Sequence, residues 1–186
     1  MKLQTTLNII RAAKPCADGW AKLLKSLPSD IDHDAKIDFS HILESNGLED
    51  TLWGLRCVLP EQEKERDREA RLLACDYAEN VLPLFEKEYP NDKRPRECIE
   101  VARRFANGKV TRAELAAAGD AAWAAWADAR DAAWAAWAAW DAARAAGADA
   151  ARAVWVATGA AAGARDAARA DEKEKQIKQF KQRFCE

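Results

Sequence analysis

Residues 121–156 read AAWAAWADARDAAWAAWAAWDAARAAGADAARAVWV, and this stretch decides the fold. More than half of residues 113–170 are Ala, the residue with the highest helix propensity. Six of the eight Trp lie in the same region: Trp123, Trp126, Trp134, Trp137, Trp140 and Trp155. Trp123 to Trp134 and Trp126 to Trp137 both repeat at eleven residues, close to three helical turns. At about 100° per residue the six indoles fall within an arc of roughly 120°. The pattern predicts a helix with one indole-lined stripe. Ile177, Phe180 and Phe184 join that arc if the helix is unbroken.

Thr111 followed by Glu114 forms a capping box and sets the start of the tract. Asp141–Arg144, Asp149–Arg152 and Asp166–Arg169 are acid-first pairs at i,i+3, each adding a few tenths of a kcal/mol to a solvated helix. The weak points are Gly119, Gly147, Gly159 and Gly163. Unbroken, the helix would run about 100 Å, far beyond the diameter of a small domain. It therefore folds back, near Gly147 or within residues 158–163, or pairs with a second copy.

The stripe has two readings. In one, the rings are the large side chains of a helix–helix core in which Ala lets backbones approach closely. In the other, Trp134, Trp137 and Trp140 dock a foreign protein, with Arg130 and Arg144 on or near the same arc. Trp and Arg are the commonest interface anchors. Asp120, Asp128 and Asp131 lie together beside the arc and would meet a basic surface on a target.

Outside the tract, composition bounds the rest. The chain has 186 residues, enough for one domain with a real core or a small domain plus a helical extension. Charged residues make up 32% and balance to a formal net charge of -2, which argues against a general nucleic-acid or anionic-membrane binder. Pro, Gly and β-branched residues are few, so the expected class is all-α. The five Cys (Cys16, Cys57, Cys75, Cys98 and Cys185) show no CxxC or Cys/His ligand spacing. They read as reduced thiols of a cytoplasmic protein. The N-terminus lacks a signal-peptide pattern, and no segment reaches the ~20 apolar residues of a membrane span.

Residues 1–60 predict several short helices. Thr6 caps a first one carrying Leu7 and Ile10; a second spans 16–27, a third about 39–46 with Gly47 as its stop, and a fourth 48–59. Residues 61–89 predict a longer helix, solvated in its charged first half and apolar-faced in its second, kinked or interrupted at Pro83. A turn-rich loop and a helix over 96–107 follow, stopped at Gly108.

The run from Arg71 to Ala118 resembles the central block of the Imm-5-type immunity protein family. The matching pieces are Ala-Cys-Asp-x-Ala-Glu at 74–79, Val-Leu-Pro-Leu-Phe at 81–85 and Arg-Pro-Arg-x-x-Ile-Glu-x-Ala-Arg at 94–103. The Ala-rich, aromatic-dotted tail is also similar to bacterial and phage relatives. The resemblance implies an all-helical protein that neutralises a toxin by binding it; a phage-borne relative would equally suit blocking a defence nuclease or complex, as anti-CRISPR proteins do.

Within the block, Asp76, Glu79, Arg94, Arg96, Glu100 and Arg103 form a polar set. If the two helices pair as a hairpin, these residues form a cross-helix ion-pair network. The alternative is that Arg94 or Arg96 grips an acidic partner, since the guanidinium fork suits carboxylates. A catalytic carboxylate pair lacks a nucleophile, phosphate loop or metal ligands beside it. Residues 30–41, DIDHDAKIDFSH, place Asp at loop positions 1, 3, 5 and 9 as in an EF-hand. Ala35 replaces the turn Gly and His41 the closing bidentate Glu, so the segment reads as an acidic solvated loop.

The sequence thus predicts an all-α protein. A short-helix region (1–60), a helical hairpin (61–110) and a long Ala/Trp element (111–186) make up one cooperative unit. The expected function is a non-enzymatic inhibitor that binds a nuclease, toxin or defence complex in the bacterial cytoplasm. No cofactor, metal, direct nucleic-acid contact or membrane contact is expected. The rival reading is a homodimer or higher oligomer that consumes the Trp stripe.

Overall fold

The structure is a computed structural model that describes the backbone of residues 1–128 and 169–186 and the side chains of 1–125 and 171–186. It is predominantly α-helical, as composition and periodicity predict, with one two-stranded sheet among the described residues. The chain divides into two compact units, Met1–Arg66 with Phe180–Glu186, and Asp67–Gln179.

The first unit is threaded by the N-terminal strand β1 (Gln4–Thr5), antiparallel to β2 (Ile37–Asp38) with Gln4 opposite Asp38 and Thr5 opposite Ile37. Leu3 extends the pairing on both sides. Its N–H donates to the Phe184 carbonyl at 2.9 Å, and its carbonyl accepts from Phe39 N at 3.0 Å. Helix α1 (Leu7–Ala12) starts as expected at Thr6, whose hydroxyl accepts the Ile9 N–H at 3.3 Å. Helices α2 (Ala17–Ser26), α3 (Phe39–Asn46) and α4 (Leu48–Gly54) follow, with α3 packed on both α2 and α4. Gly47 ends α3 at φ 86°, a left-handed value that favours glycine. The helix expected over 48–59 is shorter than predicted. It tightens into a 3-10 turn at Leu55–Cys57 and stops before Pro60, whose own turn covers Pro60–Gln62. The buried core is Leu3, Leu7, Ile37, Phe39, Leu52 and Leu55, with Phe180 and Phe184 from the far end of the chain.

In the second unit, helix α5 (Glu63–Glu88, entering the unit at Asp67) and helix α6 (Arg94–Ala106) carry the polar set. Sequence reading expected Pro83 to kink or interrupt α5; the helix is not interrupted there. Proline in a helix interior costs about 3 kcal/mol. Here its ring is solvent-facing, and burial of Val81, Leu82 and Phe85 around it outweighs that cost. Helix α6 begins two residues earlier than predicted because Pro95 occupies its first turn, where a missing N–H is harmless. It ends at Ala106, and Gly108 follows at φ 68°, the left-handed value that turns the chain away. Helix α7 (Arg112–Asp128) packs on α6 through Leu115, Ala122 and Ala125 and runs unbroken through Gly119. The capping box is formed: Thr111 Oγ1 accepts the Glu114 N–H at 3.2 Å and Glu114 Oε2 accepts the Thr111 N–H at 2.7 Å.

The last helix, α8 (Arg169–Phe184), docks on α5 with a polar row. Glu172 and Gln176, only 7% and 2% exposed, face Asn80 and Tyr77. Asn80 Nδ2 donates to Glu172 Oε1 at 3.0 Å, and Tyr77 Oη donates to the Gln176 carbonyl at 3.1 Å. No helix among the described residues is long and apolar enough to cross a membrane.

Candidate functional site

Helices α5 and α6 position the polar set that the sequence singles out. Arg103, near the end of α6, reaches back to Asp76 at 2.6 Å and also pairs with Glu79, one turn further along α5. Arg96, at the start of α6, grips Glu86 through both oxygens at 2.7 and 2.8 Å. Residue 103 meeting 76 and 79 while 96 meets 86 makes the two helices antiparallel. Of the set anticipated from spacing, Glu100 is exposed on α6 and Arg96 crosses to Glu86, which lay outside that set, whereas Asp76, Glu79 and Arg103 form a cross-helix network. Arg94 departs from it: it turns to Asp92 in the connecting loop, with Nε at 2.9 Å and Nη2 at 2.6 Å. Asp92 Oδ1 also takes the Arg94 backbone N–H at 3.1 Å and so caps the helix start.

The electrostatics follow from these bonds. The Arg96 fork holds the Glu86 carboxyl below the usual carboxylate range, and the Arg94 fork does the same for Asp92. Burial by itself would lower the Arg103 guanidinium, but the bond and charge of Asp76 reverse that and raise it. Beneath the pairs, burial pushes the thiols of Cys75 and Cys98 up to about 12 each, so both are protonated and inert. Chemically, this surface holds carboxylates ionised and guanidinia engaged. It is built for cohesion and for presenting alternating charge.

The expected docking residues are distributed as follows. Asp120 is exposed on α7, and Trp123, the described member of the indole stripe, is 41% exposed on the same helix. Asp128 ends α7, with its side chain outside the described residues. Trp134, Trp137, Trp140, Arg130, Arg144 and Asp131 lie outside the described residues altogether, as do the proposed bends at Gly147 and 158–163. Arg94 and Arg96 are partly exposed and already hold carboxylates of their own chain.

The acidic segment 30–41 is tied to its own unit. Asp34 accepts from Asn8 Nδ2 at 2.7 Å, Asp38 from Gln4 Nε2 at 2.8 Å, and Asp32 from the Asp34 N–H at 3.0 Å. Among the described residues, no group of three His, Cys, Asp or Glu side chains is arranged to hold a metal ion.

Sequence reading missed two arginine–tryptophan pairs in the first unit. The Arg11 guanidinium lies 5.4 Å over the Trp20 ring, and Arg56 lies 5.0 Å over Trp53. The i,i+3 spacing of Trp53 and Arg56 on a helical turn was a usable signal; no local pattern links residues 11 and 20.

A search of curated proteins and of solved structures found no match. The family model described as Imm-5 like putative immunity protein matches residues 60–183, taking in the α5–α6 ion-pair block, α7 and nearly all of α8. With about two thirds of its 186 residues inside that match, the chain belongs to the Imm-5 like putative immunity protein family.

Proposed function

We propose that the protein is a non-enzymatic inhibitor that neutralises a nuclease, toxin or bacterial defence complex by binding it directly in the bacterial cytoplasm. The observation that carries this reading is the family match over residues 60–183, which implies a protein partner. A surface of balanced charge with formal net -2 supports protein recognition over nucleic-acid binding. The docking face is the Trp stripe, with Trp134, Trp137 and Trp140 as apolar anchors and Arg130 and Arg144 beside them. Asp120, Asp128 and Asp131 face a basic, nucleic-acid-binding surface of the target, and Arg94 and Arg96 serve at the margin. Toxin immunity and phage counter-defence of the anti-CRISPR type are two settings for the same mechanism.

The test is co-expression with the product of the adjoining gene, followed by titration of the purified pair. The inhibitor reading expects restored growth, inhibition complete at one equivalent, and loss of both in Trp137→Asp. Inhibition at far below one equivalent would indicate an enzyme. A Trp137→Asp chain that neutralises normally would remove the Trp face from the mechanism. A wild-type dimer that dissociates in the same variant without any change in neutralisation would assign the stripe to self-association.

A further inference from the structure

An asparagine followed by glycine is a chemically labile step, because no Cβ on the glycine hinders attack by its backbone nitrogen on the asparagine side chain. The chain holds two such steps, Asn46–Gly47 and Asn107–Gly108, and the fold places each at a helix stop. Gly47 lies at φ 86° and Gly108 at φ 68°, and a Cβ on either would meet nothing within 4 Å. The space beside both glycines is open.

The two asparagine side chains are held differently. Asn107 is exposed: Nδ2 donates to the Arg103 carbonyl of its own helix at 2.8 Å, and Oδ1 accepts from Arg68 Nη2 on α5 at 3.0 Å. Asn46 is half-buried and bonded across the first unit. Its Nδ2 donates to the Gly19 carbonyl on α2 at 2.8 Å and to Asp50 Oδ2 on α4 at 2.9 Å, while Oδ1 accepts from Ser45 Oγ at 2.8 Å. The two helices approach so closely here that a Cβ on Gly19 would stand 3.0 Å from Asp50 Oδ2. The Gly47 N–H donates to the Leu43 carbonyl at 3.1 Å, which ties the attacking nitrogen to the helix. Attack on Asn46 therefore needs the end of α3 to open first, a local event at a helix terminus.

We propose that Asn46 is a site of spontaneous deamidation, gated by the contact it makes between α2 and α4, and that its conversion breaks that contact. The Gly47 nitrogen gives its proton to water and bonds to Asn46 Cγ; the Cγ–Nδ2 bond breaks and ammonia leaves, closing a succinimide ring. Water then opens the ring to aspartate, or to isoaspartate in which the chain continues through the side chain. Water is the only co-reactant, and nothing is oxidised or reduced. Aspartate puts a carboxylate where an amide donor stood, against the Asp50 carboxylate and the Gly19 carbonyl, so two hydrogen bonds become two repulsions. Isoaspartate adds a methylene to the backbone where α3 turns into α4. At Asn107 the same conversion sets a carboxylate beside the Arg68 guanidinium, which is an attraction. One chemistry thus loosens the first unit and spares the second, and it does so whatever the protein binds.

The experiment incubates the purified full chain at mildly alkaline pH and follows both steps by mass spectrometry of proteolytic peptides, in native buffer and in denaturing urea. In urea the two steps should convert at similar rates. In native buffer Asn46 should convert about tenfold more slowly than Asn107. Asp50→Ala removes one acceptor and should speed Asn46 alone, with circular dichroism verifying that its helices are intact. Asn46→Asp should lower the urea midpoint of the first unit, read from its amide signals, and Asn107→Asp should not. Adding Asp50→Ala to Asn46→Asp relieves the carboxylate repulsion and should recover part of the loss. Equal native rates at the two steps, an Asn46 rate unchanged by Asp50→Ala, or an Asn46→Asp chain with the wild-type midpoint would each overturn the inference.

Discussion

Arg103 shows what a single side chain does in this fold. Its guanidinium ties two α5 carboxylates to α6, and its side chain is only 30% exposed. Replacing it with Met keeps the aliphatic stem and deletes the charge that Asp76 and Glu79 share. Breaking a partly buried pair from one side leaves the other charge poorly compensated. Arg103→Met is therefore expected to cost about 1–3 kcal/mol in urea unfolding, and adding Asp76→Asn should recover part of that loss. The pH response belongs to different residues. Arg96 and Arg94 hold Glu86 and Asp92 below their ordinary range, so those pairs stabilise the fold fully above about pH 4–5, where the unfolded carboxyls are ionised. The stabilisation is lost as pH falls through the lower folded values. Glu86→Gln removes one such group, so its urea midpoint should fall less between pH 6 and pH 3 than that of wild type. An equal fall in both would mean that Glu86 does not carry the acid response.

At the scale of elements, caps and stops were legible and the effects of packing were not. Thr6, Gly47, Gly108 and the Thr111–Glu114 box each act locally through their own backbone, so they were readable from a few neighbouring residues. Pro83 does not interrupt α5, because its cost is local while the burial that offsets it comes from residues brought in by tertiary structure. Arg66 tells the same story. The solvated-rod reading of residues 61–71 placed it in water, yet it is 8% exposed and donates to the Leu55 carbonyl, a contact no periodicity encodes. In α8 the i,i+4 series Glu172, Gln176, Phe180, Phe184 is the buried row, and half of it is polar. A hydrophobicity pattern sees only the aromatic half. The polar half is specified by its partners on α5, Asn80 and Tyr77. Tyr77→Phe keeps the ring and deletes the donor to the Gln176 carbonyl, and should cost about 1 kcal/mol while slowing no binding step. Hydrogen exchange should locate the loss in α8, and unchanged protection there would remove this bond from the account of how the helix is held.

For the whole molecule, the ordering of the chain in space differs from its ordering in sequence. The N-terminal unit is not contiguous, because residues 180–186 complete it from the other end. The Phe180 and Phe184 rings meet at 5.0 Å with their planes tilted by 56°, are fully buried there, and Phe184 gives its carbonyl to Leu3 N, which in turn supports the strand pair and the start of α3. Sequence reading joined both rings to the indole arc on the condition of an unbroken helix, which falls outside the described residues; phase along one helix does not report which core a helix end enters. A unit built this way gains its core only once the last residues of the matched region and those beyond it are in place. Truncating one buried Phe costs about 3–5 kcal/mol, a large share of the stability of a unit this small. A fragment of residues 1–66 alone should therefore give the collapsed amide spectrum of an unfolded chain. Phe184→Ala in the full chain should unfold the N-terminal unit at lower urea, read by Trp20 and Trp53 fluorescence, while the α5–α6 amides remain protected. A fragment with dispersed, wild-type-like resonances would show that the N-terminal helices hold their own core, and that the C-terminal aromatic pair decorates it.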